Sequence, residues 1–420
     1  MKRYPEYKDS GIEWIGEIPG DWEVKRLKYF ATIKNGQDYK DVEVDNEGYP
    51  VIGSGGEFAK ASTYLWDRPS VLLGRKGTIN KPLYVDFPFW TVDTMYYTDV
   101  FERTSAKFLY YLATTIRFDY YQYGSAVPSM TQRDLANVCF ATPKTKEKQK
   151  LIADYLDRKT ETIDNVITDK EKLIELLKEK RQAIISQAVI KGLDPNVPIK
   201  DSCIEWIGAI PEDWEVKQFR YCFNTSTGIS ITRSELSNIG VYCIGYGPIH
   251  SRLGFDLDLK RDKLTKAPYE FYDNKESAIA FENDFIFCDT SEDIEGSGNN
   301  VYVKDLDGHQ LLAGSHTILA HPIQSFESRF LAYLFSTKTW RRQIQSRVFG
   351  VKVFSITQKL LNSTYIILPS IEEQRQIINH LDRKTSVIDE IVTDITLQIE
   401  KLKEYRQAII SEAVTGKVAI

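Results

Sequence analysis

Apolar residues recur at steps of three and four along two long stretches of the chain. In the first, Ile163, Val166, Lys170, Leu173, Leu177, Lys180 and Ile184 follow that step. In the second, Ile388, Ile391, Ile395, Gln398, Leu402, Tyr405 and Ile409 do the same. This is the a/d spacing of a helix seam. Neither stretch holds a proline or glycine before its end, so the pattern predicts two unbroken helices that stop at Gly192 and Gly416. Each runs over roughly 45 residues, about 65 Å of helix. A helix of that length cannot bury its stripe against a small domain, but it can bury it against a twin. Lys170 matches Ile395, and Leu173 matches Gln398, a stagger that predicts a register-setting polar pair.

The twins are copies. LDRKTETIDNVITDKEKLIELLKEKRQAIISQAV begins at Leu156, and LDRKTSVIDEIVTDITLQIEKLKEYRQAIISEAV begins at Leu381, 225 residues later and without a gap. The duplication extends beyond the helices. Lys8 to Gly16 (KDSGIEWIG) returns as Lys200 to Gly208 (KDSCIEWIG). Ile18 to Lys25 (IPGDWEVK) returns as Ile210 to Lys217 (IPEDWEVK). Gly124 to Pro143 parallels Gly350 to Pro369. The chain is thus one unit written twice: a first domain over 1–145, a helix over 146–192, a second domain over 193–371 and a second helix over 372–420.

Between the matched ends the middles do not align. The first shows short strand-type runs, Val51-Ile52 before Gly-Ser-Gly-Gly and Ser70 to Leu73 before Gly74-Arg75-Lys76-Gly77. The second shows Val241 to Ile244, Ala278 to Phe281, Phe285 to Phe287 and Leu311-Leu312. Each is followed by a predicted helix, Ala106 to Phe118 in the first half and Phe330 to Ile344 in the second. Pro195 and Pro198 break the chain between the first helix and the second domain.

Charge and composition narrow the classes. No apolar run is long enough for a membrane span, and the first residues hold no apolar signal core. Five cysteines without a CxxC pair suit a reducing, cytoplasmic setting. The net charge of −5 does not advertise nucleic-acid binding, so any DNA contact rests on local patches. Catalytic motifs are missing. There is no Asn/Asp-Pro-Pro-aromatic run, no phosphate loop, and His316 and His321 stand at the wrong step for a helical zinc pair. The remaining candidates are basic and amide side chains. Arg75 and Lys76 sit between glycines with Lys81 nearby, which lets a backbone approach a phosphate. Arg341, Arg342 and Arg347 lie near a helix end, with Lys352 in the loop behind. Ser125, Thr131 and Gln132, with Gln358 in the second half, carry hydroxyls and amides suited to base edges or to helix capping.

These doubled motifs resemble the specificity subunit of type I restriction–modification systems over the full chain. The carriers are the Trp-Ile-Gly…Ile-Pro-x-x-Trp pair, the Thr-Gln pair at 131–132 and 357–358, and the LDRKT-helix-RQAIIS pair. The resemblance implies an α/β fold with two target-recognition domains joined by two long antiparallel coiled-coil helices in a pseudo-two-fold repeat. It implies a non-catalytic chain that binds a bipartite double-stranded DNA site. Its partners would be two modification subunits and, through them, restriction subunits; S-adenosylmethionine, ATP and Mg²⁺ would sit on those partners, with no cofactor or metal in this chain. Gly350-Val351-Lys352-Val353-Phe354 departs from the Gly-Ser-Ala-Val-Pro form of the first half. Two other classes remain open on the residues alone: a stand-alone methyltransferase or nuclease, and a scaffold that never touches DNA.

Overall fold

The computed structural model describes residues 3–121, 128–251, 255–350 and 352–420. The chain packs as two compact units, Met1–Lys172 with Ile395–Ile420, and Leu173–Asp394. The two long helices span Lys146–Lys191 and Ile371–Val414. Each is divided between the units, so the helical segments do not pack as bodies of their own.

Unit 1 is built on two four-stranded sheets. One has the order Ala31–Asn35, Met95–Val100, Ser70–Gly74, Leu83–Val85. The other has the order Trp90–Thr91, Tyr49–Gly53, Gly56–Ala61, Glu43–Val44. The strand Ser70–Gly74 is buried along its whole length, as its continuous apolar run requires. The expected helix after Ala106 ends at Ala113 and buries Phe108, Leu109 and Leu112.

Unit 2 repeats the plan with a larger sheet, ordered Phe223–Thr227, Thr317–Pro322, Phe285–Cys288, Asn300–Asp305, Asp256–Asp258. Its second sheet centres on Val241–Ile244 beside Leu311–Ala313. The single helix expected over Phe330 to Ile344 is two helices, Ser328–Phe335 and Lys338–Gln345. Thr337 breaks it, because its hydroxyl caps the second helix by accepting from Trp340 N. Trp340 is thereby turned fully into the core, where its ring lies 4.4 Å from that of Phe335.

The doubled LDRKT motif docks a domain helix onto a long helix. In unit 1, Tyr111 donates to Asp157 Oδ1 at 2.7 Å and sits 3.2 Å from Thr160 Oγ1, while Lys107 pairs with Asp157 at 2.6 Å. In unit 2, Tyr333 donates to Asp382 at 2.5 Å and Arg329 pairs with the same carboxylate at 2.9 Å. Burial pushes the Tyr333 hydroxyl up to about 12, so it stays a donor. Glutamines clamp both ends of the docked helix. Gln149 Oε1 accepts from Ser105 N, the N-cap, at 3.0 Å, and Gln407 donates to Thr114 O, the C-cap, at 3.1 Å. Gln374 and Gln182 hold Glu327 N and Ser336 O in the same way. Each domain helix therefore touches both long helices, which is why the compact units cut across them.

Within each unit the long-helix segments run antiparallel. Arg406 pairs with Asp164 at 2.8 Å in unit 1, and Arg181 with Asp389 at 2.9 Å in unit 2. These are the same two positions of the repeat, 225 residues apart. The expected polar pair forms as well, with Lys170 donating to Gln398 at 2.7 Å.

The seam keeps Ile163, Leu177, Ile184, Ile388, Ile395, Leu402 and Ile409 turned inward, but its alternate positions fall one residue later than the sequence pattern placed them. Val166, Leu173 and Ile391 stand 40%, 44% and 41% exposed, while Ile167 and Ile399 are buried. The steps from Ile163 and Ile388 run four then three, not three then four. Both orders fit the apolar residues. The two Arg-Asp pairs decide, because they need Arg181 and Arg406 at the seam edge.

Gly192 and Gly416 end the helices at φ of +75° and +71°, the left-handed turn that glycine adopts without strain. A side chain at Gly416 would run into Pro19 of the first Ile-Pro-x-x-Trp motif. That motif thus packs under a helix end, and its Trp22 and Trp214 are fully buried.

Candidate nucleic-acid interface

The two middles, unrelated in sequence, share one backbone hydrogen-bond frame. In unit 1, Gly36 N donates to Met95 O, Gln37 N to Thr91 O, Arg75 N to Thr94 O and Met130 N to Arg75 O, at 2.9–3.1 Å. In unit 2, Gly228 N donates to Thr317 O, Ile229 N to Ala313 O, Asp289 N to His316 O and Ile356 N to Asp289 O, at 2.7–3.1 Å. Gly36 and Gly228 are held to glycine because an added Cβ would strike the carbonyl of Val92 or Gly314. The frame ties the same loop segments together in each unit and makes Arg75 equivalent to Asp289, and Thr94 to His316.

Arg75, half-buried, and Lys76, exposed, follow the strand that enters this frame. Arg75 Nη1 donates to Asp93 O at 3.3 Å and its guanidinium lies 5.9 Å from the Tyr96 ring. Lys76 is exposed and bridges by backbone to Ser129. Lys81 is exposed beyond the same loop. Lys352 is exposed just before Phe354–Ser355, the strand that pairs with Thr290–Ser291. Arg342 is exposed on its helix. Ser125 lies outside the described residues.

The other candidates each have a partner within the protein. Thr131 and Thr357 are N-caps, accepting from Asp134 N and Leu360 N. Gln132 donates to Ile33 O at 2.7 Å, and Gln358 Oε1 accepts from Thr225 Oγ1 at 3.4 Å. The doubled Thr-Gln therefore ties the loop to the first sheet strand in each unit. Arg341 is turned inward against Asn299, and burial lowers the affinity of its guanidinium for a proton. Arg347, exposed, donates to Gln343 O at 2.7 Å and to Ser363 Oγ at 2.9 Å.

Asp289 and Asn299 are not among the residues singled out by the sequence, and His316 enters there only as half of a rejected zinc pair. Asn299 joins Arg341 to His250 Nδ1, at 3.3 Å from the latter, and His250 stacks on Tyr246 at 5.1 Å. No residue pattern marks these positions as equivalents of the first half, because the repeat offset drifts through insertions.

A family model described as type I restriction modification DNA specificity domain matches residues 19–176 and 211–401. The chain is 24% identical over 446 residues to the type I restriction enzyme MjaVIII specificity subunit of Methanocaldococcus jannaschii, covering 99% of this chain and 97% of that one. It is 22% identical to the EcoBI specificity subunit of Escherichia coli, covering 98% and 90%. In fold it is similar, with a TM-score of 0.68 and 16% identity, to a chain of a structure reported as the structural basis of complex assembly and conformational transition of the type I R-M system, covering 96% and 99%. With the family model matching well over half of its residues, the chain belongs to the type I restriction–modification DNA specificity family.

Proposed function

We propose that the chain reads a bipartite, asymmetric double-stranded DNA site, one half per unit, and brings modification and restriction subunits to it without catalysing a reaction. The observation that carries this reading is the doubled loop frame: one backbone scaffold in two units, filled with different side chains. Two such readers recognise two different half-sites. One half-site is weakly selective, since a mismatched pair costs about 1–3 kcal/mol. Linking two readers adds their discrimination and makes the gap between half-sites a criterion. The paired helices act as a coiled-coil ruler for that gap. Val166 and Ile391, exposed and equivalent in the repeat, offer one apolar docking point per unit, which fits two modification subunits. S-adenosylmethionine, ATP and Mg²⁺ belong to those partners.

The test is binding and methylation of a randomised DNA library by the chain reconstituted with its modification subunits. A two-part site with a fixed gap is expected. A heptad inserted at matched positions of both helices keeps the seam phase and lengthens the rods by about 10 Å, so the accepted gap grows by about three base pairs. An unaltered gap refutes the ruler. Methyl transfer by the purified chain alone favours the stand-alone enzyme. Arg75→Gln and Lys76→Gln each weaken binding and lower the slope of log K against log salt by about 1 where they meet phosphate. Salt titrations by fluorescence anisotropy check this, and a slope equal to the parent's removes that residue from the interface.

A further inference from the structure

We infer that Asp289, positioned by His316, sets the base preference of unit 2, and that it selects a base edge presenting an exocyclic amino group, cytosine N4 or adenine N6. The inference rests on the DNA-reading function proposed above and names the chemistry at one of its positions. Asp289 occupies the place of Arg75: its N–H donates to His316 O and its carbonyl accepts from Ile356 N, as Arg75 does with Thr94 and Met130. The scaffold is the same and the side chain is inverted. A guanidinium offers donors, matching guanine O6 and N7; a carboxylate offers acceptors, matching an amino group.

Three observations at this place point to a ligand. Asp289 Oδ1 is buried and accepts no hydrogen bond, the state that costs a carboxylate most. His316 Nδ1 is 3.4 Å from that buried oxygen without hydrogen-bond alignment, while the Asp289 side chain as a whole is 32% exposed, so the carboxylate is held by its inner oxygen and presents the outer one. His316 itself has φ of +60°, a conformation rarely adopted outside glycine, although its side chain is 65% exposed and serves no core. Strain kept at an exposed residue beside an unsatisfied acceptor marks a working position. The loop that follows carries exposed Glu292, Asp293 and Glu295, which repel phosphate. A DNA contact at Asp289 is therefore made to a base edge and not to the backbone.

The experiment is equilibrium binding by the full chain reconstituted with its modification subunits. The DNA carries the mapped site with single substitutions in the half read by unit 2: 2-pyrimidinone for cytosine, or purine for adenine, each lacking only the amino group. The parent protein is expected to lose about tenfold in affinity at one position. Asp289→Ala, which removes the acceptor, is expected to lose about the same on the natural site and nothing further on that analogue. Whichever analogue has the effect identifies the base. Additive losses, or no loss with either analogue at any position, overturn the inference. The analogues need no change in the protein, and an intact preference for the half read by unit 1 shows that the variant is folded. A parent complex with no sequence preference overturns the proposed function itself; a parent with a bipartite preference and no coupling to Asp289 overturns this inference alone.

Discussion

Replacing Trp214 by alanine lowers the stability of unit 2 by about 3–5 kcal/mol. The ring is fully buried, meets Phe330 edge-on at 6.3 Å, and fills the space beneath the Gly192 turn. Its indole N–H donates to Glu373 Oε2 at 3.0 Å. Burial already raises the Glu373 carboxyl above the ordinary range, so losing the donor adds an unpaired, partly buried acid to the cavity. Hydrogen exchange under urea separates the units. Amides of Ser328–Phe335 open at lower denaturant in Trp214→Ala, while those of Ala106–Ala113 hold. A loss below about 1 kcal/mol means the motif is not a structural anchor.

Adjacent positions on the first long helix respond oppositely to the same new charge. Ile167→Asp costs about 3 kcal/mol or more, because position 167 is 8% exposed and a carboxylate there loses its water without gaining a partner. Val166→Asp, at 40% exposure, changes stability by about 0.5 kcal/mol or less. Both substitutions add one acid to the same turn, so helix propensity cancels and only the facing differs. Thermal unfolding of the isolated chain gives the comparison. Equal losses, or the larger loss at Val166, restore the phase first expected from the sequence and remove the seam described above.

That one-residue shift shows where a sequence pattern stops. The apolar residues of the first long helix include Val166 and Ile167, and Leu173 and Ile174, as neighbours. Either member satisfies a three–four step. What chooses between them is the partner surface, fixed by Arg181 with Asp389 and Arg406 with Asp164 across helices distant in sequence. The break at Thr337 is similar. Its capping hydroxyl competes with a continuous helix, and packing of Trp340 settles the competition. At the candidate interface the sequence offered basic residues and amides on their chemistry. Folding gave Gln132, Gln358, Arg341 and Arg347 partners within the protein, left Lys76, Lys81, Arg342 and Lys352 exposed, and placed an aspartate and a histidine with no motif around them at the position equivalent to Arg75 and Thr94.

The sequence by itself determined the duplication, the two long helices, their glycine stops and the family, because each is written in local spacing or in repetition that needs no coordinates. Only the tertiary structure decided the seam phase, the tasks of the LDRKT and Thr-Gln motifs, and the equivalence of Arg75 with Asp289. Those depend on which backbone carbonyls meet across distant segments, and hydrogen bonds between main chains place almost no constraint on the side chains that a sequence displays.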